Sequence, residues 1–387
     1  MSNNRRSFDI ILIGAGSVGA PTAFYLSEAG FRILVIDQEP SEGQQSNKNA
    51  IGGIRATHSD PAKIRLCQRS LEIFSTWEQV HGDSIEWLQG GYCFVAYRQE
   101  EETLLMNLLG KQKDYHLKID WLPAADLLQL VPDLNPRNLI GGTYSPEDGS
   151  ASPLKTAASF TQHARRLGAQ FNFSEKVQKI HQTSGQVTGL STNRGKYSAP
   201  IIINAAGAEA REIAALVGQD LPVYPDSHEA AVTEPVATFL KPMVVDIRPL
   251  PGSSNFYFYQ HVTGQILFCL TPSPNIWGRD TRETSTFLPQ VAARLIEVMP
   301  RLKHLRVRRS WRGLYPMTPD GFPIVGWSQS TEGLLHMVGM CGQGFMLGPA
   351  LGELAVRLVN QTTNLADLET LTYLDPARVF STQEVLK

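Results

Sequence analysis

The stretch IILIGAGSVGAPTAF, residues 10–24, decides the fold of this chain. Its leading apolar residues are typical of a strand that is buried on both faces of a parallel sheet. Glycines follow at Gly14, Gly16 and Gly19, and the helical pattern after them ends at Gly30. A second apolar run within residues 32–37 predicts the next strand. Together these features predict a βαβ unit.

The glycines have the spacing G-x-G-x-x-G between a predicted strand and a predicted helix, which is the dinucleotide-binding fingerprint. They permit a tight turn, let the backbone approach a pyrophosphate, and pack the helix on the strand. The first helical amides, near Ser17 and Val18, can then face the phosphates. Asp37 ends the second strand, where its carboxylate can bind ribose hydroxyls and repel the extra phosphate of NADP. The alternative interpretation is an ordinary glycine turn, with Asp37 exposed at a strand end.

The middle of the chain has a different pattern. Residues 255–259 and 265–270 flank a glycine-containing turn, which predicts a β-hairpin of an antiparallel sheet. The parallel pattern returns with a strand at 334–338 and an amphipathic helix at 348–360. We therefore predict an α/β fold, α+β overall, in which a Rossmann-like domain is combined with a domain built on a mixed, largely antiparallel sheet.

Composition and charge exclude several classes of protein. The chain carries 35 Lys and Arg against 37 Asp and Glu, a net charge of −2, so it lacks the basic character of a dedicated nucleic-acid-binding protein. Its 4 cysteines are scattered and form no C-x-x-C pair, so neither a metal site nor a disulfide framework is expected. No apolar run reaches the ~18 residues that span a bilayer. We expect a cytoplasmic protein without a transmembrane segment.

Three further motifs follow the fingerprint: AAGA at 205–208, TPDGFPIVG at 318–326 and GQGFMLGPA at 342–350. In this order they resemble the D-amino-acid oxidase superfamily of FAD-dependent amine oxidoreductases, over nearly the whole chain. WRGLYPMTPD at 311–320 is similar to the branch of the sarcosine oxidase β-subunit and the dye-linked L-proline dehydrogenase β-subunit. The resemblance implies FAD as the cofactor. It implies noncovalent binding, because the cysteine that anchors the flavin in monomeric sarcosine oxidase would fall at Gly313.

The resemblance and the element pattern together predict two domains, each built from separate stretches of chain. The FAD-binding domain is predicted to comprise residues 1–90, 141–221 and 317–387. The substrate-binding domain is predicted to comprise residues 91–140 and 222–316.

The fingerprint and the resemblance assign the cofactor-binding residues. The resemblance implies that Gly52, Gly53 and Ile54 lie beside the flavin ring and that Val177 contributes backbone contacts near the adenine. Where the family usually has the histidine of a Ser-Gly-His-Gly-Phe turn, this chain has Gln343, which removes that histidine as an acid or base. The full predicted set is Gly14, Gly16, Ser17, Val18, Gly19, Asp37, Gly52, Gly53, Ile54, Val177, Ala206, Gly207, Gly342, Gln343, Gly344, Phe345 and Met346.

Four catalytic residues are predicted from the needs of an amino-acid substrate. Its carboxylate is best held by arginine or by tyrosine hydroxyls, and Arg55 is the first candidate. Tyr257 and Tyr259 lie on one face of a strand, and alternation does not decide which face meets the flavin. Tyr315 falls where glycine oxidase and D-amino-acid oxidase carry an arginine that binds the carboxylate. Each of the four has a purely structural interpretation as an alternative.

The predicted reaction is oxidation of a small secondary amine or amino acid, similar to sarcosine, proline or a D-amino acid, to an imine by hydride transfer to flavin N5. His228 or His261 could assist deprotonation of the ammonium group, although an isolated histidine in a turn is more often structural. Two alternatives stay open: an FAD-dependent 2-hydroxy-acid dehydrogenase, and a flavin electron-transfer subunit of a larger complex.

The electron acceptor is predicted from a missing residue. The oxygen-activating lysine of monomeric sarcosine oxidase would fall within residues 265–268, which contain no lysine. This favours a dehydrogenase that passes electrons to a protein or quinone partner over an oxidase. Association into an oligomer is compatible with the sequence.

Overall fold

The computed structural model describes residues 6–381 and Glu384, and the remaining terminal residues of the predicted FAD-binding domain lie outside the described residues. The strands of the described part form four sheets. They are β1 (Ile10–Ile13), β2 (Ile33–Ile36), β3 (Gly53–Ile54), β4 (Tyr92–Ala96), β5 (Asp120–Pro123), β6 (Gly141–Ser145), β7 (Gly149–Ser150), β8 (Gln170–Asn172), β9 (Val177–Thr183), β10 (Gln186–Thr192), β11 (Lys196–Ser198), β12 (Ile201–Asn204), β13 (Tyr224–Thr233), β14 (Met243–Asp246), β15 (Ser253–Gln260), β16 (Ile266–Pro272), β17 (Val307–Met317), β18 (Ile324–Trp327) and β19 (Leu334–Val338). The α-helices are α1 (Gly19–Glu28), α2 (Ser46–Asn49), α3 (Pro61–His81), α4 (Gln99–Asp114), α5 (Ala124–Leu130), α6 (Pro153–Arg166), α7 (Ala210–Ala215), α8 (Phe287–Val298), α9 (Gly344–Val359) and α10 (Leu365–Leu374).

The sheet that begins with the fingerprint strand has the order β18-β19-β12-β1-β2-β8. All of its neighbours pair in parallel except the edge pair β18 and β19. Every residue of β1 and β2 is buried, as strands covered on both faces require. The predicted βαβ unit and the Rossmann-like sheet are therefore confirmed.

The largest sheet has eight strands in the order β17-β13-β16-β15-β14-β4-β6-β5. One pair, β4 with β14, is parallel and the others are antiparallel. The predicted hairpin is formed by β15 and β16. Phe256 and Phe258 pack into the core that contains α8, which leaves Tyr257 and Tyr259 on the opposite face of the sheet. The prediction of a mixed, largely antiparallel sheet is confirmed.

One strand links segments that the sequence analysis assigns to different domains. Residues 141–145 are predicted to belong to the FAD-binding domain. In the structure these residues form β6, which pairs with β4 and β5 of the eight-stranded sheet. The strand was missed because its sequence, GGTYS, has no apolar alternation, and its burial comes from its neighbours.

Two helices approach each other closely beside the parallel sheet. A Cβ on Gly348 of α9 would overlap the Ser17 carbonyl that precedes α1, and a Cβ on Gly352 would crowd the backbone of Pro21. The helix α9 begins at Gly344, before the predicted start at Gly348, because its glycine-rich first turn lacks the apolar periodicity that marks the remainder. This glycine contact brings the N-termini of α1 and α9 to the same edge of the sheet.

We expect Gly348→Ala to lower the free energy of unfolding by about 1–3 kcal/mol, because the added methyl group forces α9 away from α1. Urea unfolding followed by circular dichroism measures the change. Gly110→Ala is the matched control, since Gly110 lies in the exposed part of α4 and a Cβ there meets no heavy atom within 4 Å. The control should be unchanged or slightly more stable. Equal effects of the two substitutions would contradict the assigned packing.

Candidate active site

Two cavities adjoin each other between the parallel sheet and the eight-stranded sheet. The first has a volume of about 510 Å³ and lies at the carboxyl ends of β1, β2 and β12. The second has a volume of about 240 Å³ and is lined by strands of the eight-stranded sheet, by the segment around β3 and by the first turn of α9. Ala50, Tyr315, Gly342 and Phe345 line both cavities, so a ligand in one borders the other.

The fingerprint turn forms one wall of the first cavity. Gly14 has a φ of +104°, and a Cβ there would overlap the Ala205 carbonyl at the end of β12. The Asp37 carboxylate accepts hydrogen bonds from the amides of Ala15, at 2.7 Å, and Glu39, at 2.8 Å. Burial raises the pKa of Asp37, and these two hydrogen bonds oppose that increase. Asp37 thus holds the turn in place and also lines the cavity.

The N-termini of two helices border the first cavity. Gly16, Ser17 and Val18 lead into α1, and Gly344 and Phe345 begin α9, and all five line the cavity. Neither helix has a side-chain N-cap. The first amides of a helix have no intrahelical acceptor and carry the positive end of the helix dipole. The cavity is therefore suited to a long ligand with negative groups at two places.

Most of the residues predicted to bind the cofactor are distributed over the two cavities. Lining the first cavity are Gly14, Gly16, Ser17, Val18, Asp37, Val177, Ala206, Gly207 and Gly344, with Gly342 and Phe345 shared. Lining the second are Gly52, Gly53, Gln343 and Met346. The structure does not bring Gly19 or Ile54 to either cavity: Gly19 packs against the Gly14 carbonyl, and Ile54 is fully buried in the hydrophobic core.

Arg55 lines the second cavity, and its guanidinium contacts Thr57 and His58. Its Nη1 donates to the Thr57 carbonyl and lies 3.3 Å from Nδ1 of His58. Burial, and then the charge of Arg55, hold the pKa of His58 well below its usual value, so the ring is neutral and can accept this hydrogen bond. The other ring nitrogen of His58 contacts Sγ of Cys67 at 3.3 Å.

Asp148, which sequence reasoning missed, supports the backbone next to Arg55. Its carboxyl accepts from the Ala56 amide at 2.9 Å and from the Thr57 hydroxyl at 3.4 Å. Burial raises the pKa of Asp148 to about 7, although the Ala56 hydrogen bond and the charge of Arg55 lower it. Near neutral pH a large fraction of this carboxyl is protonated. The protonation of Asp148 therefore changes the charge beside Arg55 in this pH range.

Two tyrosines complete the polar wall of the second cavity. The hydroxyls of Tyr257 and Tyr315 lie 3.0 Å apart and hydrogen-bond each other. Burial raises the pKa of both phenols, so each is protonated at neutral pH and acts as a donor rather than as a base. The Tyr315 ring stacks on His228 with centroids 3.8 Å apart, and Nε2 of His228 lies 3.1 Å from the Asp226 carboxylate.

The structure does not bring Tyr259, His228 or His261 to the lining of either cavity. Tyr259 shares the strand face of Tyr257 but donates its hydroxyl to the Ile51 carbonyl. His261 lies in the turn after β15 and contacts the Thr263 hydroxyl at 2.9 Å. These side chains have structural partners, in line with the structural interpretation offered for isolated histidines.

Several cavity residues had no signal in the sequence. Asn47, in the short helix α2, donates its side-chain amide to the carbonyls of Gly43 and Pro153. Its Oδ1 is buried and has no hydrogen-bond partner among the described residues, and the residue lines the first cavity. Arg279 also lines this cavity, from an irregular loop without periodicity. Asn255 lines the second cavity.

Several known proteins are similar to this chain over nearly its whole length. The family model described as DAO, FAD dependent oxidoreductase, matches residues 9–358. The crystal structure of L-proline dehydrogenase from P. horikoshii is similar with a TM-score of 0.90 and 27% identity, covering 96% of this chain and 98% of that one. Glycine oxidase of Geobacillus kaustophilus is 25% identical over 369 residues, 93% of this chain and 95% of its own. Hydrogen cyanide synthase subunit HcnC of Pseudomonas protegens is 26% identical over 424 residues, 99% of this chain and 98% of its own.

The first cavity fits FAD. Its glycine turn leaves room for a pyrophosphate beside α1, Asp37 lies where a ribose would bind, and the buried Asn47 oxygen offers an acceptor. The amides that begin α9 can stabilise negative charge at the flavin end.

No helix within residues 6–381 is long and apolar enough to cross a membrane. In the described residues no group of three or more His, Cys, Asp and Glu side chains could hold a metal ion.

We expect Asp148→Asn to change how stability depends on pH. The unfolded carboxyl ionises near its ordinary pKa of 3.8, whereas the folded one stays protonated up to about pH 7, so this residue's contribution to stability is lost as the pH rises between these values. Relative to the variant, the wild type should lose about 1–3 kcal/mol of unfolding free energy across this range. Urea unfolding at several pH values measures it, and parallel pH profiles would contradict the raised pKa.

We expect Arg279→Gln to release FAD faster. Arg279 lines the first cavity and ties its loop to Glu209 at 2.7 Å, to Glu212 at 2.5 Å and to the Ala208 carbonyl at 2.8 Å. Because exposed ion pairs contribute up to ~1 kcal/mol each, the dissociation rate should rise roughly 3- to 10-fold. Recovery of free FAD fluorescence after dilution measures this rate.

The matched control for the loop is Arg282→Gln. Arg282 is exposed and pairs with Asp280 of the same loop, and it is not among the residues that line the cavity. This variant should release FAD at the wild-type rate. Equal rates for both variants would show that Arg279 does not retain the cofactor.

Proposed function

Because the chain belongs to the DAO family of FAD-dependent oxidoreductases, we propose that it oxidises a small secondary amine or amino acid to an imine. The observation that carries this proposal is the second cavity, where Arg55 and the hydroxyls of Tyr257 and Tyr315 surround a space next to the cavity that fits FAD. A guanidinium, and the one phenol O–H that the Tyr257–Tyr315 hydrogen bond leaves over, are suitable donors for a substrate carboxylate. L-Proline dehydrogenase and glycine oxidase, both named for amino acids, resemble the chain over nearly its whole length.

In the proposed reaction the substrate loses two electrons and two hydrogens. The carbon next to nitrogen loses a hydrogen together with its bonding electron pair, the nitrogen loses a proton to water, and a C=N bond forms. Bound FAD supplies the two-electron acceptor. Water then adds to the imine, which splits into a carbonyl compound and an amine or ammonia.

The protein's part in this reaction is to bind and orient the substrate. Arg55 is fixed by Thr57 and His58, so its guanidinium is held in place before a carboxylate arrives. Tyr257 and Tyr315 stay protonated, and since one of them donates to the other, one O–H is left to donate to the substrate. Apolar side chains such as Phe94 restrict water around the reacting bond.

Two finer features belong to the same proposal. Gly313 has no side chain that could bond to the flavin, which supports noncovalent FAD. Of the residues that the structure describes around either cavity, Lys176 is the one lysine, and it lines the first cavity beside Val177, where the family resemblance places the adenine. The absence of a lysine from the lining of the second cavity supports a dehydrogenase that passes electrons to a protein or quinone.

The reaction is tested with the purified holoprotein in an anaerobic stopped-flow instrument. Sarcosine, L-proline, a set of D-amino acids and 2-hydroxyglutarate are mixed with it in turn, and the flavin absorbance near the visible maximum is followed. We expect at least one amine to bleach the flavin and 2-hydroxyglutarate to leave it oxidised. Reoxidation by oxygen is then compared with reoxidation by a soluble quinone, which we expect to be faster.

Two outcomes would overturn the proposal. Bleaching by 2-hydroxyglutarate alone would identify a hydroxy-acid dehydrogenase. A flavin that stays oxidised with every compound, in a chain that copurifies with a second subunit, would identify an electron-transfer subunit.

A further inference from the structure

Gln343 is a buried residue of the second cavity, and it follows Gly342, which lines both cavities. The residue is 5% exposed and lines the second cavity, and its Oε1 has no hydrogen-bond partner among the described residues. Buried polar atoms in proteins are nearly always hydrogen-bonded, so an acceptor without a partner in a cavity wall indicates a donor on the ligand.

The backbone fixes where this acceptor lies. The Gln343 amide donates to the Met340 carbonyl at 2.8 Å, and the Gln343 carbonyl accepts from the Leu347 amide at 3.1 Å. The preceding Gly342 has a φ of +80°, and a Cβ there would overlap the Tyr315 ring. Gln343 therefore stands between the tyrosine of the polar wall and the first turn of α9.

The other polar side chains of the second cavity differ from Gln343 in their hydrogen-bonding capacity. Arg55 has only donors, whereas a hydroxyl can both donate and accept. The hydroxyls that line the cavity belong to Tyr92, Ser254, Tyr257, Thr271 and Tyr315. The Asn255 side-chain oxygen accepts from the Thr271 hydroxyl at 2.8 Å. Arg55 is the one charged residue among the described residues that line this cavity. A substrate nitrogen thus has no carboxylate to meet there, and an unpaired ammonium would be costly to bury.

We propose that Gln343 Oε1 forms the amine subsite of the second cavity and accepts a hydrogen bond from the neutral amine of the substrate. This assignment rests on the proposed function, and it moves Gln343 from the cofactor residues predicted by sequence to the substrate residues. With the carboxylate on Arg55 and the nitrogen on Gln343, the carbon between them is held at the border of the FAD cavity.

The same lining defines the substrate class. One cation and no anion fit a ligand with a single carboxylate, since a second charged group would be buried without a partner. The remaining walls are largely apolar and fit a hydrocarbon substituent on the carbon or nitrogen. They include Ile51, Phe94, Leu104, Val245, Ile247 and Met346. We therefore expect uncharged side chains to be accepted and those of glutamate and lysine to be rejected.

The test uses pairs of ligands that differ only at nitrogen. Sarcosine is paired with butyrate, L-proline with cyclopentanecarboxylate and D-alanine with isobutyrate, so that a carbon group replaces the amine. The Kd of each amine is taken from the concentration dependence of flavin bleaching, and the Kd of each carbon analogue from the shift it causes in the flavin spectrum. Gln343→Leu, which keeps the size of the side chain and removes its acceptor, is compared with wild type and with Arg55→Leu.

We expect Gln343→Leu to raise the Kd of the amine that bleaches the flavin roughly 10-fold and to leave the Kd of its carbon analogue within about 2-fold. Arg55→Leu should weaken both members of the pair. FAD content and the thermal midpoint check that each variant is folded. If Gln343→Leu does not fold, Gln343→Met removes the amide with an unbranched side chain and serves the same comparison.

Two results separate this inference from the proposed function. An amine that bleaches the wild type and binds Gln343→Leu unchanged, or a variant that weakens both ligands of a pair equally, overturns the amine subsite and leaves the proposed function standing. Failure of every amine of the panel used for the proposed function to bleach the wild type overturns the amine reaction itself, and the subsite with it.

Discussion

The close contact between α1 and α9 is the constraint on which the rest of the site depends. Gly348 has no side chain, so α9 lies against the Ser17 carbonyl at the end of the fingerprint turn. The N-termini of the two helices lie at the same edge of the parallel sheet, and their unpaired amides face one cavity from two directions. A larger side chain at this contact would separate the two anion-binding ends that a single dinucleotide must reach together.

The electrostatics of the second cavity depend on the protonation of the groups around Arg55 more than on close packing. Burial shifts the pKa values of two groups near Arg55 towards the neutral form: the His58 ring has a lowered pKa, and the Asp148 carboxyl has a pKa raised to about 7. Burial lowers the pKa of a base and raises the pKa of an acid, and both shifts favour the neutral form. The backbone next to Arg55 is held by the hydrogen bonds that the Asp148 carboxyl accepts from Ala56 and Thr57.

The parts of this architecture that are local in sequence could be predicted, and the parts made by distant contacts could not. The βαβ unit and the β15–β16 hairpin follow from short-range patterns of glycine and apolar residues. Strand β6 could not be recognised from its sequence, because its burial is imposed by β4 and β5. Asp148 and Arg279 carry no motif, since their roles arise only when Ala56 and Glu209 are brought beside them. Alternation identified the tyrosine face of β15, but only the packing of the phenylalanine face on α8 decided its direction.

The order of the strands has a consequence for biosynthesis. The fingerprint strand β1 pairs with β2 on one side and with β12 on the other, and β19 joins only beyond β12. The cofactor cavity needs both the first turn and the start of α9, which are separated by most of the chain. A nascent polypeptide must therefore be synthesised as far as α9 before it can close around the nucleotide, and until then its early glycine turn is exposed to chaperones and proteases.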